Sequence, residues 1–309
     1  MAGSGAAKCG FILLDVLALA LVAIPAILFR IPGLKLPIFQ RGFYCDDQTL
    51  SYPYKSSTVP VAALYGVGVG FPIILIMLTE VVIFAYRRRQ DTEYLPSGSF
   101  NRCCCDVVIP PLLYQVLKYI AQFFFGLLIV MTSFDIGKNV VGRLRPHFLS
   151  VCQPNFGALN CTNGPMHMYI EEYECMGESE HRIEAAHRSF PSGHAAISVY
   201  CMLFLTLYIQ CRWKWGDTAF LRPLVQFIAL MLAFYTCLSR ISDYKHHWSD
   251  VFAGAVLGGG VAVLVYYSVS QQKQDSGSVR PLSVPEQQRH VESSQFRNGV
   301  YGNEPSFDS

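Results

Sequence analysis

The chain alternates long apolar runs with short, densely polar junctions. Six runs are long enough to cross roughly 30 Å of hydrocarbon, which takes about 20 mostly apolar residues: 10–29, 60–86, 109–135, 193–210, 222–239 and 251–270. The pattern predicts an all-α, polytopic membrane protein with six transmembrane helices. The first run, GFILLDVLALALVAIPAILF, exceeds the about 7–15 apolar residues of a secretory signal, so it reads as an uncleaved first span. The segment 271–309 is polar, rich in Gln and Ser and without hydrophobic period, which predicts a disordered tail.

Composition strengthens this picture. Of 309 residues, 52% are hydrophobic and only 15% charged, and the mean hydropathy is +0.31, outside the range of an ordinary soluble domain. With a net charge of +2 and no basic stripe, nothing points to nucleic acid. No internal repeat is visible.

Charge then fixes an expected orientation. The YRRR cluster at 86–89, against the end of the second run, reads as cytoplasmic. Arg212 and Lys214 fall on the same side by parity, so both termini, 1–9 and 271–309, are expected in the cytoplasm. NCT at 160–162 places a glycan acceptor, Asn160, on the opposite side. Cys45, Cys152, Cys161 and Cys175 share that side, where an oxidising compartment allows one or two disulfides with three full pairings open. Cys103, Cys104 and Cys105 fall on the cytoplasmic side, as sites for S-palmitoylation or as plain thiols.

Parity also gathers three junctions on the outer face: KNVVGRLRPH (138–147), RSFPSGHAA (188–196) and SRISDYKHHWSD (239–250). Their residue types converge on an anion. Lys138 and Arg145, seven apart, would share one face of a helix extended past the third run, with Arg143 pointing elsewhere. Ser192, Gly193 and His194 open the fourth run, where unpaired N–H groups and the helix dipole favour phosphate. Gly193 allows close backbone approach, and Arg240 offers a guanidinium fork. Plainer readings stand beside these: Ser192 and Asp250 as N-caps, Lys138 and Arg145 as snorkelling charges. The polar residues sit at the ends of the runs, whereas a transporter would place them at the bilayer midplane.

These stretches resemble the signature motifs of the phosphatidic acid phosphatase type 2 superfamily: KxxxxxxRP at Lys138 to Pro146, PSGH at Pro191 to His194, and SRxxxxxHxxxD at Ser239 to Asp250. FYCDDQTLSYPYK (43–55), GRLRPHFLSVC (142–152) and LSRISDYKHHWSD (238–250) look like its lipid phosphate phosphatases. The resemblance covers residues 10–270. It implies a six-span phosphatase domain with an outward-facing site, in which His246 is the nucleophile and Asp250 orients it. It also implies that His194 is the general acid and base, and that Lys138, Arg145, Ser192, Gly193 and Arg240 hold the phosphoryl oxygens. The expected substrates are phosphatidic acid, lysophosphatidic acid, sphingosine 1-phosphate and ceramide 1-phosphate. No metal or other cofactor is needed in this scheme, and the expected location is the plasma membrane, with internal membranes also open. A sugar phosphatase and a non-enzymatic lipid-binding relative are the rival readings; all motif positions are present, which disfavours the second. If the last stretch is helical, His246 and Asp250 are neighbours at i and i+4 and His247 faces away.

Three further features carry expectations. Asp15, Glu80 and Lys118 lie near the cytoplasmic ends of runs and are expected to snorkel. Gly254 and Gly258 form GxxxG, usable inside the bundle or between two copies in a homo-oligomer. YGVGVGFP (65–72) lies within an apolar run and is not read as a nucleotide loop.

Overall fold

The computed structural model describes residues 3–28, 31, 37–90, 110–157, 159, 161, 168–213 and 219–277. The expectations for Asn160, for Cys103 to Cys105 and for the tail beyond 277 lie outside these residues. The chain divides into a unit Met1–Tyr267 and a unit Ser268–Ser309, and the site discussed below belongs to the first.

The architecture is mostly helical. Helix α1 spans Gly3–Leu28. Helix α2 (Val61–Tyr65) passes through a π-helical turn, Gly66–Gly70, into α3 (Phe71–Gln90), so the glycine-rich stretch is a wide turn inside one apolar rod. Helix α4 spans Pro111–Val141. After α5 (Phe148–Cys152) and α6 (Glu180–Ala186) come the long α7 (Gly193–Arg212), α8 (Leu221–Ser242) and α9 (Trp248–Gly277). Among the described residues five stretches are long and apolar enough to cross a membrane: Val61–Arg89, Pro111–Val141, Gly193–Arg212, Leu221–Ser242 and Trp248–Ser268. In α1 the apolar stretch is the shorter Val16–Leu28. Helix α1 begins before the expected residue 10, and α9 continues past the expected 270.

Helix α7 is the axis. It is 61% buried, against 28–33% for the other four spanning stretches. Phe123 of α4 and Tyr200, Phe204 and Tyr208 of α7 form its aromatic core, and the Tyr200 hydroxyl donates to the Phe123 carbonyl at 2.7 Å. Leu264 of α9 and Phe227 and Phe234 of α8 point outward, as helices facing lipid require. The GxxxG pair is used inside the bundle, because a Cβ on Gly254 would meet the Ser192 carbonyl and one on Gly258 the Ala196 carbonyl. This contact sets α9 directly against the N-terminal turn of α7, which is where the site lies.

At the other end of α7, Glu80 is buried and does not snorkel. Arg212 grips it through Nε at 2.8 Å and through a second, very short contact of NH2. Tyr208 donates to the same carboxylate at 2.8 Å, and Trp213 donates to the neighbouring Thr79 at 3.0 Å. The expectation failed because α7 carries the matching cation to the same depth, leaving Glu80 no need to reach water.

A small cap covers the site end. Strand β1 (Phe43–Tyr44) pairs antiparallel with β2 (Tyr169–Ile170), Phe43 opposite Ile170. Phe43, Leu50, Leu144, Phe148 and Ile170 make its core. Of the three open pairings the fold adopts Cys45–Cys161 and Cys152–Cys175.

Candidate active site

The chain after α4 is turned back at once. Gly142 takes φ +55°, a left-handed cap that L side chains resist, and a Cβ there would run into the Phe39 carbonyl. Lys138 and Arg145 are therefore not on one continuous helix, as the spacing suggested, yet both line the same cleft. The three polar junctions are sewn together by backbone bonds. Arg145 N–H donates to the Ala186 carbonyl (2.8 Å), Ser189 to Arg143 (2.9 Å) and Ser192 to Asp250 (3.0 Å).

Asp250 is the fully buried knot of this seam. Its Oδ1 accepts from Arg143 at 2.6 Å. Its Oδ2 accepts from the Ser189 hydroxyl at 2.6 Å and from the His247 N–H at 3.1 Å. Asp250 is thus not the N-cap of α9 but sits in its first turn and reaches back to the preceding backbone, half of a capping box.

The segment 243–247 is a turn, not helix, and this corrects the expected geometry of the two histidines. His247 does not face away: its Nδ1 lies 3.3 Å from Asp250 Oδ2. His246 Nδ1 is 3.9 Å from the same oxygen and instead lies 2.8 Å from the Ser189 carbonyl. A carbonyl only accepts, so Nδ1 carries the proton and the lone pair is on Nε2. Burial, then the charges of Arg145 and Lys138, holds the His246 imidazole well below the ordinary histidine range. Such a ring is neutral and nucleophilic at physiological pH.

Beside it opens a cleft of about 500 Å³ lined by Lys138, Arg145, Arg188, Gly193 and His194, with Val61, Tyr65 and Phe134 as an apolar wall. A side chain at Gly193 would press on Lys138 Nζ and Phe134, so glycine keeps this floor open. His194 is bonded to the backbone of Val59, and its Nε2 is buried without a partner. Arg145 Nε is also buried and unpartnered. Burial first, then Arg188 and Arg240, pushes its guanidinium down to about 10. Ser192 does cap α7, accepting from Ala195 N–H at 3.5 Å, and its own N–H is taken by Asp250.

Arg240 is nearly fully buried and bonded to the Ser239 hydroxyl (3.0 Å) and to Asp243 (3.0 Å). Asp243 in turn accepts Thr58 N–H at 2.8 Å and its hydroxyl at 2.7 Å. Residues 52–59 thereby form a strap over the site. Along it, Tyr52 stacks on Tyr244, and Tyr54 lies 3.6 Å beneath Lys245 Nζ. Burial, then Arg145, pushes Lys245 down to about 8.

Sequence reasoning did not single out Arg143, Arg188, Ser189 and Asp243 as parts of the site. Arg188 and Ser189 stand just before PSGH, but the partners that tie Ser189 to the site, His246 and Asp250, are 57 and 61 residues away, beyond any local spacing rule. Among the described residues no group of three His, Cys, Asp or Glu side chains stands ready for a metal ion.

The chain is similar to proteins of known family. Residues 117–274 match the PAP2 superfamily. Phospholipid phosphatase 1 of mouse is 38% identical over 270 residues, covering 87% of this chain and 88% of its own. Phospholipid phosphatase 2 of human is 38% identical over 263 residues, covering 84% and 83% respectively. No solved structure matches the chain.

Proposed function

The chain belongs to the PAP2 superfamily, and from that membership together with the cleft we propose that it is a multi-pass membrane phosphatidate phosphatase. The observation that carries the reading is a buried, neutral His246 with its Nδ1 tied to a carbonyl, beside a cleft of cations that lack enough anions.

In the proposed reaction the Nε2 lone pair of His246 attacks phosphorus in line, forming an N–P bond as the P–O bond to the lipid breaks. His194 gives its proton to the leaving alkoxide, then takes one from the water that cleaves the phosphohistidine, returning His246 and free phosphate. Lys138, Arg145 and Arg240, with the Ser192 hydroxyl and the Gly193 backbone N–H, hold the oxygens as charge grows on them. Asp250 fixes the segment that carries His246 through Ser189. These cations take the neutralising role that Mg²⁺ has elsewhere, so the proposed mechanism is metal-independent.

The substrates are lipid phosphates: phosphatidic acid, lysophosphatidic acid, sphingosine 1-phosphate and ceramide 1-phosphate. An apolar wall beside the cations suits a head group whose tail stays in lipid. The topology proposed is six spans, counting α1, with both termini cytoplasmic and the site facing outward at the plasma membrane or an internal lumen. The two disulfides at the site end support that orientation, and Asn160 is then a glycan acceptor.

The test is release of phosphate from phosphatidic acid in detergent micelles. His246→Ala abolishes it and His247→Ala keeps most of it, with or without EDTA. Turnover by His246→Ala at more than about a tenth of wild type, or inhibition by EDTA that Mg²⁺ reverses, overturns the mechanism.

A further inference from the structure

Arg188 lies outside all three sequence motifs, yet it lines the same cleft as Lys138, Arg145, Gly193 and His194. Its side chain is one-fifth exposed, and its two carboxylate neighbours are loose: Asp135 Oδ1 at 3.9 Å and Glu184 Oε1 at 3.5 Å. Charge-assisted bonds of normal strength are about 2.7–2.9 Å. Its Nε, like that of Arg145, is buried without a partner. Two guanidiniums that line one cleft, that each keep a buried Nε without a partner and that repel one another form an arrangement that an anion between them relieves. The motif arginine Arg240 differs, being committed to Ser239 and Asp243 and absent from the cleft wall described above.

We infer that Arg188 is a further phosphate-binding residue of this site, pairing with Arg145 across the phosphoryl group and adding to Arg240, which spends part of its guanidinium on Ser239 and Asp243. The inference rests on the phosphatase reading and names one more group in it. Arg188 precedes Ser189, whose carbonyl holds His246, so phosphate contact at Arg188 and orientation of the nucleophile are set by the same two residues. A dianion seated on Arg145 and Arg188 lies over the α7 N-terminus, with the amides of that turn behind it.

The experiment uses the full-length protein in detergent, with orthovanadate as a probe because it adopts the five-coordinate geometry of phosphoryl transfer. Arg188→Gln is expected to raise the vanadate inhibition constant and to lower kcat/KM for phosphatidic acid, each about tenfold. It also removes most of the rise in melting temperature that vanadate gives the wild type. Arg188→Lys restores part of both, and Glu184→Gln, which removes only the loose ion pair, leaves both within about twofold of wild type. A vanadate constant for Arg188→Gln within about twofold of wild type overturns the inference, as does a Glu184→Gln variant that reproduces the loss, since Arg188 would then act by holding α6. Should Arg188→Gln not yield monodisperse protein, Arg188→Lys carries the test, and an unchanged vanadate constant in it overturns the inference. A wild type that neither hydrolyses phosphatidic acid nor responds to vanadate sinks the phosphatase reading and this assignment together. A wild type that does both, matched by Arg188→Gln, sinks the assignment alone.

Discussion

The two ends of α7 treat buried charge in opposite ways. At one end Glu80 meets Arg212, Tyr208 and an adjoining Thr79–Trp213 bond, so the carboxylate has an opposite charge and a hydroxyl on it. At the other, Lys138, Arg145, Arg188 and His194 converge on open space, and three of their nitrogens are buried with no acceptor. Both clusters cost desolvation, but only the first recovers it within the chain. A buried charge network that closes on itself is a clamp between helices. One that stays open is arranged around something the chain does not contain, and the sign of the excess says that this is an anion.

The largest effect should come from opening the closed end. Glu80→Ala leaves Arg212 buried with no counter-charge, which is expected to cost about 3–5 kcal/mol of stability, read as a lowered melting temperature in detergent. Replacing Glu80 and Arg212 together with Met and Leu should recover most of that loss. If the double variant melts as low as the single one, the pair is not the self-contained clamp described.

Opening the other end should do the reverse. Arg145→Gln removes a buried cation that is repelled by Arg188 and Arg240 and whose Nε has no partner, so the melting temperature is expected to hold or rise, while kcat/KM falls about a hundredfold. The pH profile tests the same point. In the proposed mechanism His246 attacks as the neutral ring, and burial with Arg145 and Lys138 lowers its pKa. The acid limb of kcat/KM should therefore lie below the ordinary histidine value of about 6.5. Without Arg145 the proton is lost less readily and the limb moves to higher pH. A limb that stays in place, or a melting temperature that drops as for Glu80→Ala, would make the two ends alike.

Stability should follow pH at the cap as well. Burial pushes His147 down to about 4 and also lowers His187. Between the unfolded value near about 6.5 and these folded values, the unfolded chain binds protons that the native chain refuses. Melting temperature should thus fall as pH drops through that window and be level above it.

How legible this was in the sequence depends on range. Five of the six hydrophobic runs coincide with stretches long and apolar enough to cross a membrane, the first run being represented by the shorter Val16–Leu28, because length and apolarity are local properties. The motif residues were legible as one site because parity alone brings their junctions together, and Lys138, Arg145, Gly193 and His194 do share the cleft. What failed was local geometry imposed on turns. Gly142 ends α4 before Arg145, and the turn at 243–247 replaces the assumed helix, so face-counting misplaced His247, and Arg143 points away from Lys138 and Arg145 for a reason other than helical phase. The pairings of Glu80 with Arg212, Asp243 with Thr58 and Ser189 with His246 join residues 57 to 185 positions apart. No periodicity encodes such contacts.

The smallest effect separates the two neighbouring histidines. His247 and His246 both lie near Asp250, and by distance alone His247 is the closer. In the proposed mechanism proximity to the carboxylate does not select the nucleophile, because Asp250 is already satisfied by Arg143, Ser189 and the His247 backbone N–H. His246 is singled out by the Ser189 carbonyl on its Nδ1, which leaves Nε2 bare. His247→Ala removes one weak contact to Asp250 and keeps the backbone N–H bond, so kcat should drop only about two- to fivefold with KM unchanged. Ser189→Ala, which keeps the carbonyl but detaches Asp250 from the loop that holds His246, should cost about tenfold in kcat. If the order of these two losses is reversed, Asp250 acts through His247, and the chain of positioning contacts runs along the helix start instead of across to Ser189.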